Sequence, residues 1–228
     1  MARIMGAFAP TVSVLLVMAA LVATGLGSSP ASAQISSGVS GSSSLFVIES
    51  DEEYYQTLSA FGACFAARKS AEALALIATE PGSSGEMQTY RQRIRRASVA
   101  CLSDTDMRAP IYLVRGAIAE GLYERGVALP PEMVLSAPPP GAPMRTLAEM
   151  TRCYTANHRD QVRALIDQTR IGSREEYDLL SEMAPDFVLC VPERFREVEF
   201  SAPVVRARMA EALYRMPTTP LAAAGGRQ

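Results

Sequence analysis

The chain has no tryptophan, a single histidine and no two cysteines close together in sequence. Each absence removes a class of activity. A zinc tetrathiolate needs ligand pairs of the C-x2–4-C kind, whereas Cys64, Cys101, Cys153 and Cys190 are spaced by 37, 52 and 37 residues. A thioredoxin-type redox pair fails for the same reason. The lone imidazole, His158, lies between Asn157 and Arg159 with no serine or cysteine nucleophile beside it, and there is no H-E-x-x-H, no G-x-S-x-G and no phosphate-binding glycine loop. Residues 83–85, Ser-Ser-Gly, read as a turn. No residue is assigned a catalytic or metal-binding role, and no cofactor is implied. Charge of one sign is also lacking: the formal net charge is −2 over 228 residues, too mild to claim nucleic acid or anionic lipid as a partner.

What is present begins with an address. Arg3 precedes an apolar run from Thr11 to Leu26, and Ser29-Pro-Ala-Ser-Ala33 ends in small-x-small just before Gln34. This is the anatomy of a cleaved signal peptide over residues 1–33, with a retained anchor as the competing reading. The run is short for a span of about 20 residues and lacks a charged stop-transfer flank. No cysteine stands at the cleavage point, which disfavours a lipoprotein. Removing the 33 residues leaves 195, and because the segment carries Arg3 and no acid, the net charge becomes −3. The expected location is periplasmic or secreted, with membrane association only if the segment is retained. Four cysteines in a chain bound for an oxidising compartment then read as two disulfides.

Residues 34–49 are largely Ser and Gly and read as a flexible leader. Helical periodicity starts near Ser50-Asp51 and recurs over Ser70–Thr79, from Ser84-Gly-Glu86 to about Cys101, and over Ile111–Arg125, closed by Gly126. Six prolines between Leu129 and Pro143 break any helix there, so residues 127–144 are read as a connector. Residues 217–228 read as a disordered tail.

After the connector the programme repeats at an offset of 89. Cys64-Phe65 returns as Cys153-Tyr154, Ala75-Leu-Ile77 as Ala164-Leu-Ile166, Ser84 and Glu86 as Ser173 and Glu175, and Cys101 as Cys190. RGAIAEGLY, Arg115–Tyr123, returns 91 residues later as RARMAEALY, Arg206–Tyr214. The expected fold is therefore all-α, with two tandem duplicated four-helix units over 50–126 and 145–216. Each is stapled by one disulfide, Cys64–Cys101 and Cys153–Cys190. Closing a loop of about 38 residues gives on the order of 4 kcal/mol in the chain-entropy model. Pro185 is expected to kink or end the third helix of the second unit.

In the repeated helix, Val114, Ala117, Ile118, Gly121 and Leu122 form a core face. Small residues on the other side, Gly116 and Ala119 with Ala207 and Ala210, point to close packing, or to the helix meeting its twin across a pseudo-two-fold axis. Arg115, Glu120, Tyr123, Arg206, Glu211 and Tyr214 are the candidate packing or binding residues. Glu120 and Glu211 are candidate acids if they converge in one cleft, although Glu211 has Arg215 four residues on, as in an ordinary surface ion pair. The Arg91–Arg96 stretch reads as a solvated helix face.

The pattern resembles a group of exported alphaproteobacterial proteins with cysteine-bearing helical units that end in R-x-x-x-A-E-x-L-Y. The resemblance covers most of residues 55–216 and implies export and a disulfide-stapled helical fold, and it carries no activity. The expected function is a non-enzymatic binding or scaffolding module of the cell envelope, with an unknown protein or small-molecule partner. A hydrolase-like enzyme using acids between the two units is the alternative. Intact-mass measurement of the exported protein is expected to give a chain starting at Gln34; a mass that includes residues 1–33 would instead establish a retained anchor.

Overall fold

A computed structural model describes residues 45–47, 51–102, 109–139 and 141–216. The signal segment, the rest of the leader, residues 103–108 and the tail 217–228 lie outside the described residues. The described chain is mostly helical, with two two-residue strands, and each expected cysteine pair is bonded: Cys64–Cys101 and Cys153–Cys190, with Cα atoms 5.7 and 5.8 Å apart. Disulfides fit an oxidising compartment. Among the described residues no helix is long and apolar enough to cross a membrane.

The helix starts follow from local chemistry. Helix α1 (Glu52–Arg68) is capped by Asp51, whose carboxylate accepts from the Tyr54 N–H, and Glu52 and Glu53 sit at its positive end. Helix α2 (Ser70–Ile77) follows after one residue, Lys69. Helix α3 (Ser84–Thr89) is capped by Ser83, not Ser84, with the Ser83 hydroxyl accepting from the Glu86 N–H. A π-helical turn over Tyr90–Ile94 leads into the short α4 (Arg95–Ala97) and a 3-10 turn, Ser98–Ala100, that delivers Cys101. Helix α5 (Ile111–Glu124) is introduced by Pro110 and ends before Gly126.

Beyond the connector, α6 (Leu147–Asn157) opens with a full capping box between Thr146 and Glu149. Helix α7 (Arg159–Gln168) follows His158, and α8 (Arg174–Phe187) is capped by Ser173. Pro185 does not end α8, which runs on to Phe187. The proline sits in the last turn, where its missing donor removes one bond and the chain tightens into the 3-10 turn Val188–Cys190. Helix α9 (Ala202–Arg215) closes the fold.

Part of the predicted leader is ordered. Phe46–Val47 (β1) pairs in parallel with Phe200–Ser201 (β2). Phe46 is buried, 5.7 Å from the Phe187 ring, because an apolar Leu-Phe-Val tip follows the Ser/Gly run. The proline-rich connector is also packed. Its 3-10 turn Pro131–Met133 buries Met133, and the Leu135 N–H donates to the Arg215 carbonyl at 2.9 Å.

Helices α1 and α2 surround α5, α6 and α7 surround α9, and α5 lies along α9. One apolar cluster draws on α1, α2 and α5, and a second on α6 to α9 with Leu45 and Phe46. Ala207 and Tyr214 of α9 belong to the first cluster, and Tyr123 packs against both. Every residue of α5 from Leu113 to Leu122 is buried, so this helix has no solvated face. The close packing depends on glycine. An added Cβ at Gly116 would lie 2.2 Å from Ala207 Cβ, and one at Gly62 would lie 2.2 Å from the Ala117 carbonyl oxygen.

Gly62→Ala is therefore expected to cost about 1–3 kcal/mol, because the obstruction is backbone that cannot turn away. Gly85→Ala, whose Cβ would meet nothing nearer than 3.6 Å, should be neutral or stabilising by up to about 1 kcal/mol. Denaturant unfolding of both variants checks the pair.

Candidate functional site

The motif residues of α5 and α9 meet in a crossed exchange. Arg115 on α5 grips Glu211 on α9 with two bonds, Nε to Oε2 at 2.8 Å and Nη2 to Oε1 at 2.6 Å. Arg206 on α9 grips Glu120 on α5 in the same way, at 3.1 and 2.7 Å. Arg115 is 0% exposed and Arg206 1%. Arginine and glutamate five positions apart on one helix point about 140° apart and cannot pair with each other, so each finds its partner on the other helix.

The remaining donors of both guanidiniums are also satisfied. Arg115 donates to the carbonyls of Leu76, Ile77 and Thr79 and to the Thr79 hydroxyl, at 2.8–2.9 Å. Arg206 donates to the carbonyls of Leu165, Ile166 and Thr169 and to the Thr169 hydroxyl, at 2.8–3.2 Å. These are the carbonyl ends of α2 and α7, where the helix dipole favours a cation. A second carboxylate stands behind each arginine, Glu86 at 3.3 Å and Glu176 at 3.7 Å. Each is fixed by a backbone N–H 2.7 Å away, that of Gly82 or Gly172. Both glycines hold φ of +78°, a left-handed conformation suited to glycine.

These contacts match at a different offset from the 89 read in the sequence. Ser83, Glu86 and Gly82 make the contacts that Ser173, Glu176 and Gly172 make, at an offset of 90, so Glu176 and not Glu175 shares the contacts of Glu86. One extra residue stands between Ile166 and Thr169 relative to Ile77 and Thr79. Fifteen residues separate Glu86 from Cys101 and fourteen separate Glu176 from Cys190. The surplus residue in the first stretch lies where α3 opens into its π turn, the usual way a helix absorbs one.

Charge in the two clusters differs. Arg215 is no surface partner of Glu211. Both are buried, with Arg215 Nη1 3.2 Å from Oε1 and Arg208 Nη1 3.5 Å from Oε2. Burial pushes the Glu211 carboxyl up, but the Arg115 hydrogen bonds and the charges of Arg115, Arg208 and Arg215 outweigh it and hold the group below its ordinary value. Around Arg206 the balance is acidic. Burial pushes Glu176 up to about 7 against the pull of Arg206, and burial and the Glu120 charge raise Glu124.

A cavity of about 300 Å³ opens beside Glu211, between the loop after α2 (Glu80, Pro81, Gly82), connector residue Leu135, the start of α6, and Arg208, Ala212 and Arg215 of α9. It lies where the two halves differ. Helix α1 has 17 residues and α6 has 11, because the prolines before Thr146 bar α6 from starting earlier. The extra turns of α1 cover the loop after α7: Gln56 Nε2 donates to the Ile171 carbonyl, and Tyr55 lies 3.1 Å from where a Gly172 Cβ would be. Among the described residues nothing lies within 4 Å of the same place at Gly82. Arg208 and Arg215 stand on α9 where α5 has Ala117 and Glu124, adding cationic groups to the wall.

The other sequence candidates fall elsewhere. Glu120 does not line this cavity. The Tyr214 hydroxyl donates to the Val127 carbonyl at 3.1 Å, and Tyr123 is a packing residue between the two clusters. His158 joins α6 to α7 and stacks on Tyr154 at 4.7 Å. Arg91, Arg93, Arg95 and Arg96 are exposed. Among the described residues no group of three or more His, Cys, Asp or Glu could hold a metal ion. Arg152 was not singled out from the sequence, while Arg208 stood out as a charge on the core face of the repeated helix and Arg215 as a surface partner of Glu211. Comparison with protein-family models, with curated proteins and with solved structures finds no match to this chain.

Glu176 makes stability depend on pH. Between its ordinary value of 4.5 and about 7 the folded chain keeps a proton that the unfolded chain has released. Its contribution is therefore fullest below pH 4.5 and declines as pH rises to 7. Relative to Glu176→Gln, which keeps the acceptor for Gly172, the wild type is expected to lose up to about 3 kcal/mol across that window. Unfolding midpoints measured from pH 4.5 to 8 should diverge accordingly; parallel curves would contradict the assignment.

Proposed function

We propose that the chain is an exported, non-catalytic binding module of two tandem duplicated four-helix units, and that it holds its ligand in the cavity where the units meet. The observation that carries this reading is the cavity's position. It opens at a place where the second half departs from the first, with walls from both halves, while the pseudo-equivalent place is filled by α1. The repeated arginine clusters and matched disulfides support the duplication. The N-terminal segment and the disulfides support export to the periplasm or beyond it.

The hydrolase reading has weaker support. A general acid or base needs a carboxylate free to exchange a proton with substrate. Glu211 is bound by three arginines and held in its ionised form, and Glu120 lies outside the cavity, bonded to Arg206.

The reading is tested by native mass spectrometry of the protein purified from the organism that makes it. A bound non-protein mass at one per chain is expected, and it should be lost in Ala148→Phe, which places a ring in the cavity from a half-buried position at the start of α6. A chain free of ligand, or a bound mass indifferent to that substitution, would remove the cavity as the ligand site.

A further inference from the structure

We propose that the cavity takes a small organic monoanion, a carboxylate with a short apolar body, gripped by Arg152 and Arg208. The inference rests on the cavity being the ligand site and adds the chemistry of what fills it.

Three charged groups in the wall, Glu211, Arg215 and Glu149, are already engaged. Glu211 is bound from behind by both ends of the Arg115 guanidinium. Arg215 donates Nε to the Met133 carbonyl at 3.1 Å and Nη1 to Glu211. Glu149 accepts from the backbone N–H groups of Arg145 and Thr146 at the head of α6, and these bonds, with the nearby charge of Arg152, hold it below its ordinary value. Two cations remain. Arg152 lines the cavity and its guanidinium makes no hydrogen bond among the described residues. Arg208 lies over the Tyr112 ring at 6.0 Å and makes one hydrogen bond among the described residues, to Glu211 at 3.5 Å, the long end of the range.

A guanidinium carries five N–H donors in a planar fork. Two such groups with donors to spare, beside a cavity, match a carboxylate, which accepts in the same plane. The neighbouring carboxylates of Glu80 and Glu149 repel a more highly charged ligand, which selects a monoanion over a phosphate dianion. The rest of the wall, Pro81, Leu135, Leu147, Ala148 and Ala212, asks for an apolar body. Its volume lies at the lower end of the range of about 300–1,000 Å³ for small-molecule sites.

Calorimetric titration of the full mature chain with octanoate, octanol and inorganic phosphate tests the proposal. Octanoate is expected to bind one per chain, at least about tenfold tighter than octanol or phosphate. Arg152→Gln and Arg208→Ala should each weaken octanoate at least about tenfold and leave octanol unchanged. Unchanged melting of both variants would show that the fold is retained. Octanol binding as tightly as octanoate, with both lost in Ala148→Phe, would overturn the anionic head and leave the cavity as the ligand site. Phosphate binding as tightly as octanoate would overturn the carboxylate assignment. Octanoate binding that survives Ala148→Phe, or no octanoate binding at all, would overturn the proposal outright. The co-purification experiment decides independently whether the cavity holds any ligand.

Discussion

The fold depends on the exchange of two arginines across the contact between α5 and α9. Taking a guanidinium and a carboxylate out of water costs several kcal/mol per ion, and their attraction offsets this only when the geometry is good and the remaining donors are used. Both conditions hold at Arg115 and at Arg206. Each bonds a carboxylate bidentately and directs its other donors at the carbonyl end of a neighbouring helix. One side chain thereby ties three helices, and two of them tie the halves. The exchange also explains the glycines. Helices α5 and α9 come close because Gly116 faces Ala207, and a larger residue there would separate each arginine from its partner.

Each half, at about 70 residues, is small for an independent core. A disulfide in each half offsets part of that shortfall by restricting the unfolded chain. The crossed pairs serve the other need, orientation, because bidentate bonds fix an angle where apolar contact alone would allow sliding. Specificity through buried ions is costly in stability, and the chain sets it among small apolar residues that bring the backbones near.

Much of this was legible in the sequence. Helix periodicity, caps and proline breaks placed the elements, and equal cysteine spacing pointed to the disulfides that form. Small residues on both sides of the repeated helix anticipated its burial. The partners of Arg115 and Arg206 were not legible, because an i, i+4 neighbour offers a simpler pairing for Glu211 than a residue 96 positions away. The one-residue slip at Glu86 was hidden for a related reason. A surplus residue before Thr169 and another absorbed by the π turn cancel, so the cysteines stay in register while the cluster between them does not. The cavity has a legible cause, the prolines that shorten α6, but its walls come from four separate segments.

The central claim, that the crossed pairs are net contributors to the union of the halves, is tested most directly by a double-mutant cycle in denaturant unfolding. Arg206→Met and Glu120→Gln are measured singly and together. A pair acting as described gives a coupling energy of at least about 2 kcal/mol, with each single variant losing about 3–5 kcal/mol. A coupling below about 0.5 kcal/mol, with the single effects simply adding, would contradict the account.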